Sequence, residues 1–266
     1  MLKAFLAFLA FIAYQCTAAA LAYLIDGEAL AQGTLPDATA LVTAQMACVP
    51  LIILLLWLCR MTQRPLPGKG RPLPGTTMTA ALAGFMCVAV GLSVGLSPLD
   101  LADGGSTALL NGMSRSIGGV LLLTVFGPLV EEMVFRESIQ RLLTPRTGAL
   151  WATVIAAASF AAVHMNPAQS IPAFLLGLAL GWLYILTGNI KLCYTAHVIN
   201  NALAVWLLSR PDIEARVSAW PAAAIVAVGA ALIALGVLLL LTTRRHAPSL
   251  TLTLTQFSPH STPSER

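Results

Sequence analysis

The chain has 266 residues, of which 58% are apolar and only 10% charged, with a net charge of +4 and a mean hydropathy of +0.82. A soluble domain carries about 25% charged residues, so this composition excludes an ordinary water-soluble globule. The small net charge also excludes a basic nucleic-acid-binding surface.

In chain order, a hydrocarbon core of about 30 Å needs roughly 20 apolar residues per helix. That ruler predicts an all-α, polytopic transmembrane bundle of about eight spans, near 4–25, 39–59, 77–97, 116–143, 149–165, 171–188, 190–209 and 219–243. The first has small residues at Thr17 to Ala20, as a leader's cleavage site would. Its long apolar stretch, preceded only by Lys3, favours a retained anchor. The second loop repeats Arg-Pro-Leu-Pro-Gly at 64–68 and 71–75, the composition of a stiff, turn-rich linker. Residues from His246 onward are rich in Ser, Thr and Pro without an apolar period, and read as a disordered tail. Cys16, Cys48, Cys59, Cys87 and Cys193 lie in or beside apolar runs without metal or disulfide spacing, and read as small buried hydrophobes.

Basic residues sort by loop. Arg60, Arg64, Lys69, Arg71, Arg141, Arg146, Lys191, Arg244 and Arg245 fall on one side. Asp26, Glu28, Asp37, Asp100 and Asp103 fall on the other, with a mixed group at 210–216. The positive-inside rule then puts both termini in the cytoplasm. The Arg-rich, Lys-poor basic set points to a bacterial inner membrane.

Ionisable groups inside spans are costly and default to functional candidates. Here they converge on 131–201: Glu131, Glu132, Arg136 and Glu137 on the fourth span, His164 ending the fifth, and His197 with Asn200 and Asn201 on the seventh. Glu132 and Arg136 are spaced i,i+4 and share a face as an ion pair. Glu131 stands about 100° around the helix from Glu132, so it is left over as a carboxylate suited to moving a proton. His197 and Asn201, also i,i+4, present two donors of the kind that stabilise an oxyanion. Each group alone has a structural alternative: a charge cluster locking helices, an interfacial histidine, or an interhelical polar clasp. Gly177 and Gly181 form a GxxxG packing signal on the sixth span.

The ordered set Glu131-Glu132-x-x-x-Arg136, Phe160-x-x-x-His164 and His197-x-x-x-Asn201 resembles the three motifs of the CAAX prenyl endopeptidase and bacteriocin-processing (CPBP, or Abi) family of intramembrane proteases. The resemblance covers about 115–210. It implies that Glu131 activates the attacking water, that His164 positions or shares the proton, and that His197 and Asn201 stabilise the oxyanion. Glu132 and Arg136 match the supporting members. One position departs: Glu137 follows the arginine where the family usually has a small residue, typically Gly.

The expected organisation is N-terminal transmembrane helices over 1–114, a protease core over 115–210, a C-terminal helix over 211–245 and a tail over 246–266. The expected partners are the lipid bilayer and a membrane-anchored protein or peptide substrate, with no nucleic acid. No cofactor is favoured, since HExxH is absent. A catalytic zinc on Glu131, His164 and His197 is the alternative. A proton-coupled transporter and a non-catalytic adaptor or immunity protein also fit buried Glu and His residues. Depth is the obstacle to one shared site. At 1.5 Å per residue, Glu131 lies about 15 Å from Arg141, His164 about 27 Å from Arg146 and His197 about 9 Å from Lys191. Tilt, or a fifth span that starts deeper, must close that gap.

Overall fold

The computed structural model describes residues 1–62 and 73–244, and all regular structure among them is helical. The tail from His246 and most of the Arg-Pro-Leu-Pro-Gly repeat lie outside the described residues. In order come α1 (Leu2–Ile25), a short α2 (Gly27–Gln32), α3 (Ala38–Leu58), α4 (Gly75–Leu96) and a short α5 (Ser106–Met113). A helical run from Ile117 to Ala162 follows. It comprises α6 (Ile117–Leu121), a π-helical segment (Leu122–Phe126), α7 (Gly127–Glu131), a second π-helical segment (Glu132–Gln140) and α8 (Arg141–Ala162). Then come α9 (Pro167–Thr187), α10 (Ile190–Leu208), a short α11 (Pro211–Ser218) and α12 (Ala222–Arg244).

Polar side chains at the loop edges start these helices by satisfying their free N–H groups. Asp37 Oδ1 accepts from Ala40 N at 2.6 Å, Asn166 Oδ1 from Gln169 N at 3.0 Å, and Asn189 Oδ1 from Leu192 N at 3.2 Å. Asp26 caps α2 through Ala29 N and also accepts from Asp37 N at 2.9 Å, which folds the α2–α3 loop onto itself.

Six helices are long and apolar enough to cross a membrane, or seven if α10 and α11, bent by 87°, are taken together. One of the six is the 46-residue run. At 1.5 Å per residue it measures about 69 Å, more than two hydrocarbon thicknesses. It is broken at Gly148, whose φ of 78° and ψ of 160° are not helical. Such a backbone is open essentially to glycine alone. Divided there, the run is an antiparallel hairpin that crosses twice, which accords with the expected count of about eight. Its first leg continues to residue 147, beyond the expected end at 143.

Close helix contact is set by small residues, as bilayer packing requires. Along α4 and α12, a Cβ on Gly84 would lie 2.9 Å from Gly236 O, and one on Gly91 would lie 2.8 Å from Gly229 O. The two helices therefore run antiparallel, backbone against backbone. The Gly177–Gly181 pair seats α9 on the hairpin's second leg, against Ala157 and Phe160 at one glycine and Thr153 at the other. Helices α1 and α3 pack on the first leg in a core that contains Phe11, Tyr14, Cys48, Leu56, Met133, Phe135 and Phe160.

Candidate active site

The hairpin resolves the depth problem. Arg136 precedes Gly148 by as many residues as Phe160 follows it, and the same holds for Glu132 and His164. Antiparallel legs rising equally from one turn bring each pair to one level. Accordingly, the Arg136 guanidinium carbon sits 5.1 Å from the Phe160 ring centroid. The α9–α10 turn is enclosed by protein, with Thr187, Asn189 and Ile190 buried.

At that level the side chains converge. His197 Nδ1 is 2.8 Å from Glu132 Oε1, and Nε2 is 3.4 Å from Glu131 Oε2. Arg136 Nη1 is 3.2 Å from the same Glu132 oxygen, and its Nη2 donates to Gly177 O at 3.4 Å. Glu132, Arg136 and His197 are essentially sealed, whereas the Glu131 side chain is 22% exposed. Two adjacent carboxylates thus hold the two nitrogens of one imidazole, one from the interior and one from the accessible side. The i→i+5 winding of the run's second π-helical segment begins at Glu132. Arg141 N bonds back to Arg136 O, and Ser138 Oγ donates to Met133 O at 2.8 Å.

Hydrogen-bond chemistry fixes much of the proton arrangement. Glu132 Oε1, ion-paired with Arg136, accepts from His197, so His197 Nδ1 carries the hydrogen in this contact. His164 lies just past α8, with Nδ1 2.8 Å from Phe160 O. A carbonyl can only accept, so Nδ1 is the protonated nitrogen and Nε2 carries the lone pair when the ring is neutral. The Phe160 ring stands edge-on between the two imidazoles, 4.9 Å from His164 and 5.9 Å from His197. His164 therefore joins the site through Phe160, and direct contact defines the Glu131–His197–Glu132–Arg136 group.

Asn201 does something its spacing did not announce. Its Nδ2 donates to Leu123 O at 3.0 Å. In the first π-helical segment Gly127 N bonds to Leu122 O. The next acceptor, Leu123 O, would look to residue 128, a proline without N–H. Asn201 fills that vacancy and ties α10 to the entry of the site run, with Asn200 Nδ2 donating to Asn201 Oδ1 at 3.1 Å. Tyr194 OH likewise reaches Val125 O at 3.3 Å.

Two supporting residues were not singled out from the sequence. Gln140, one turn from Arg136, donates through Nε2 to Thr153 Oγ1 and Gly181 O, both at 2.9 Å. Arg136 and Gln140 therefore read the carbonyls of Gly177 and Gly181 in register, and the matching i,i+4 spacings were the available signal. Tyr184 OH donates to Glu137 Oε2 at 3.3 Å, while Arg141 Nε lies 3.5 Å from Glu137 Oε1. Arg141 Nη2 also holds Met61 O at 2.8 Å, at the end of α3. The unusual Glu137 is thus built into a second polar cluster linking the site run to α9 and α3.

Among the described residues, no three His, Cys, Asp or Glu side chains are placed to hold a metal ion together. Of Glu131, His164 and His197, the first and last are in direct contact and His164 stands apart from them across the Phe160 ring.

No curated protein and no solved structure matches the chain. The family model described as type II CAAX prenyl endopeptidase Rce1-like matches residues 113–203, which contain all three motifs and every residue of the converged group. Residues 113–203 are thus similar to the Rce1-like CAAX prenyl endopeptidases, within an integral membrane protein of helical architecture.

Proposed function

We propose that the chain is an intramembrane endopeptidase in which Glu131 activates water for attack on a peptide bond of a membrane-anchored protein or peptide. The observation that carries this reading is the asymmetry of the two carboxylates on His197: Glu132 is sealed at 0% exposure and Glu131 is open at 22%. Glu132, fixed by Arg136, orients the imidazole. Glu131, on the accessible side, takes a proton from water and passes it along the short path to His197 Nε2. Positioned acid–base groups of this kind contribute about 10²–10⁴ in rate.

As the peptide carbonyl becomes a tetrahedral oxyanion, the protonated His197 is the nearest cation able to donate to it. Asn201 has one amide hydrogen engaged by Leu123 O, and its second is the auxiliary donor in this scheme. In this scheme His164 helps to position the attacking water, and the proton taken from that water returns through Glu131 to the leaving amine. Water activation in this reading needs no metal, so chelator treatment of the purified protein leaves activity intact. Restoration of a chelated, inactive protein by zinc would overturn that part. Loop charge supports both termini in the cytoplasm, and the Arg-rich, Lys-poor basic set supports a bacterial inner membrane.

The test is a substitution series on a membrane-anchored reporter peptide. Glu131→Ala and His164→Ala each lose cleavage while insertion and melting behaviour stay as in the parent protein. Full cleavage in both variants would remove Glu131 and His164 from the chemistry, and a wild-type protein that leaves every reporter uncut would put the adaptor or transporter in the protease's place.

A further inference from the structure

Just past His164, at the end of the hairpin's second leg, the backbone turns sharply. Met165 takes a φ of 57°, a left-handed conformation uncommon outside glycine. It is also 89% exposed, so no burial of its own side chain selects that backbone. The reason lies one residue on. Asn166 Oδ1 accepts from Gln169 N at 3.0 Å and caps α9. Its Nδ2 donates to His164 O at 3.1 Å and to Gln169 Oε1 at 3.2 Å. The amide has only one orientation, because Gln169 N can only donate and His164 O can only accept. The bond to His164 O closes a short ring across Met165 and holds the turn. The other groups of His164 are engaged as well: its N–H donates to Ala161 O at 3.1 Å and its Nδ1 to Phe160 O at 2.8 Å. Nε2 is the ring atom left to face a reactant. The anchor is itself tied down, since Ala168 N donates at 3.3 Å to Ala102 O in the loop before α5.

We propose that Asn166 is a positioning residue for His164. Its amide holds the His164 carbonyl, and through it the backbone from which the imidazole is aimed beside Phe160. The inference rests on the role given to His164 above. Capping α9 needs only an oxygen, and Asp or Ser caps a helix about as well as Asn. What Asn adds is a donor on the same short side chain, directed back across the turn at the residue that carries the imidazole. Cap and donor are therefore separable. Losing the cap loosens the start of α9, whereas losing the donor alone frees the His164 backbone and lets the ring leave Phe160 O.

The experiment compares wild type, Asn166→Asp and His164→Ala in liposomes with the anchored reporter peptide. It also follows the histidine ring nitrogens by NMR, with His164→Ala identifying the His164 signals. Asn166→Asp keeps the shape and the capping oxygen and removes only the donor. A misplacement of about 1 Å can cost about 100-fold in rate, so a partly released imidazole should lower kcat about tenfold. KM and melting temperature should stay as in the wild type. The His164 ring, which carries its hydrogen on Nδ1 in the wild type, should become a mixture of both tautomers. Wild-type kcat in Asn166→Asp beside an inactive His164→Ala overturns the proposal, and so do unchanged His164 ring signals. A loss that tracks a lowered melting temperature, which marks the cap alone, or one confined to KM, which marks substrate contact, overturns it too. If Asn166→Asp does not fold, Asn166→Ser keeps a capping oxygen without the charge or the amide, and the same readouts decide. Wild-type cleavage by His164→Ala would instead defeat the catalytic role of His164, and the ring tautomer then decides the positioning by itself.

Discussion

Replacing Gly181 by alanine should uncouple α9 from the catalytic hairpin. A Cβ at Gly181 falls 2.6 Å from Thr153 Cγ2, about 1 Å inside ordinary carbon contact. Thr153 cannot rotate away freely, because its Oγ1 accepts from Gln140 and donates to Ala149 O. The helix must move instead, and overpacking of this kind costs about 1–3 kcal/mol. A shift of about 1 Å also stretches the 2.9 Å bond from Gln140 to Gly181 O beyond hydrogen-bond range. Losing that buried bond adds about 1–3 kcal/mol. At roughly 2–4 °C per kcal/mol for a chain of this size, the melting temperature in detergent should fall by about 5–15 °C. Reporter cleavage should drop as Arg136 loses its hold on Gly177 O. Thr153→Ser removes the clashing methyl and keeps the hydroxyl, so the double variant should recover most of both losses. A Gly181→Ala protein that melts with the wild type would refute the argument, as would a double variant no more stable than the single one.

Other expectations follow from single contacts. Asn201→Leu leaves Leu123 O without its donor and should cost about 1–3 kcal/mol; adding Pro128→Ala, which supplies an N–H, should return part of that stability in thermal melts. Gly148→Ala places a Cβ where φ is 78° and ψ is 160°, a backbone that costs other residues about 1–3 kcal/mol, and should lower the melting temperature although nothing lies near the added carbon. In the loop before α5, N–H groups of Gly105 and Thr107 donate to Asp103 and hold its carboxyl below the usual range. A depressed folded-state value stabilises above the unfolded value and is lost as pH falls through the folded one. Protection of the Gly105 and Thr107 amides, taken relative to the intrinsic exchange rate at each pH, should therefore fall on acidification, and in Asp103→Asn should show no such response.

The spans were legible because apolar length is a one-dimensional property, and Gly148 marked the fourth from the fifth by an interruption in hydropathy. The level of the site was not. It depends on a backbone that is neither straight nor α-helical throughout. Pro128 was the local clue to the first irregularity. The partner that makes it tolerable, Asn201, lies 78 positions away, so spacing within α10 suggested only its pairing with His197. Glu131, left over from the Glu132–Arg136 pair in the sequence, meets the same imidazole as Glu132 because His197 of α10 presents a different ring nitrogen to each. Gly84, Gly91, Gly229 and Gly236 were legible only as isolated small residues, since the antiparallel match between α4 and α12 exists in three dimensions alone. The polar load of α10 itself was informative: that helix is too polar to pass as a span without α11, which is the mark of a helix that lines a site.

The most direct measurement is the single-turnover cleavage rate of Glu131→Gln in liposomes, because glutamine keeps the volume and a hydrogen-bonding tip while removing the proton-accepting carboxylate. With Glu131 as the water-activating group, the rate falls at least about 100-fold and the melting temperature stays within a degree or two of wild type. A rate above one-tenth of wild type in a fully folded variant would place the chemistry elsewhere.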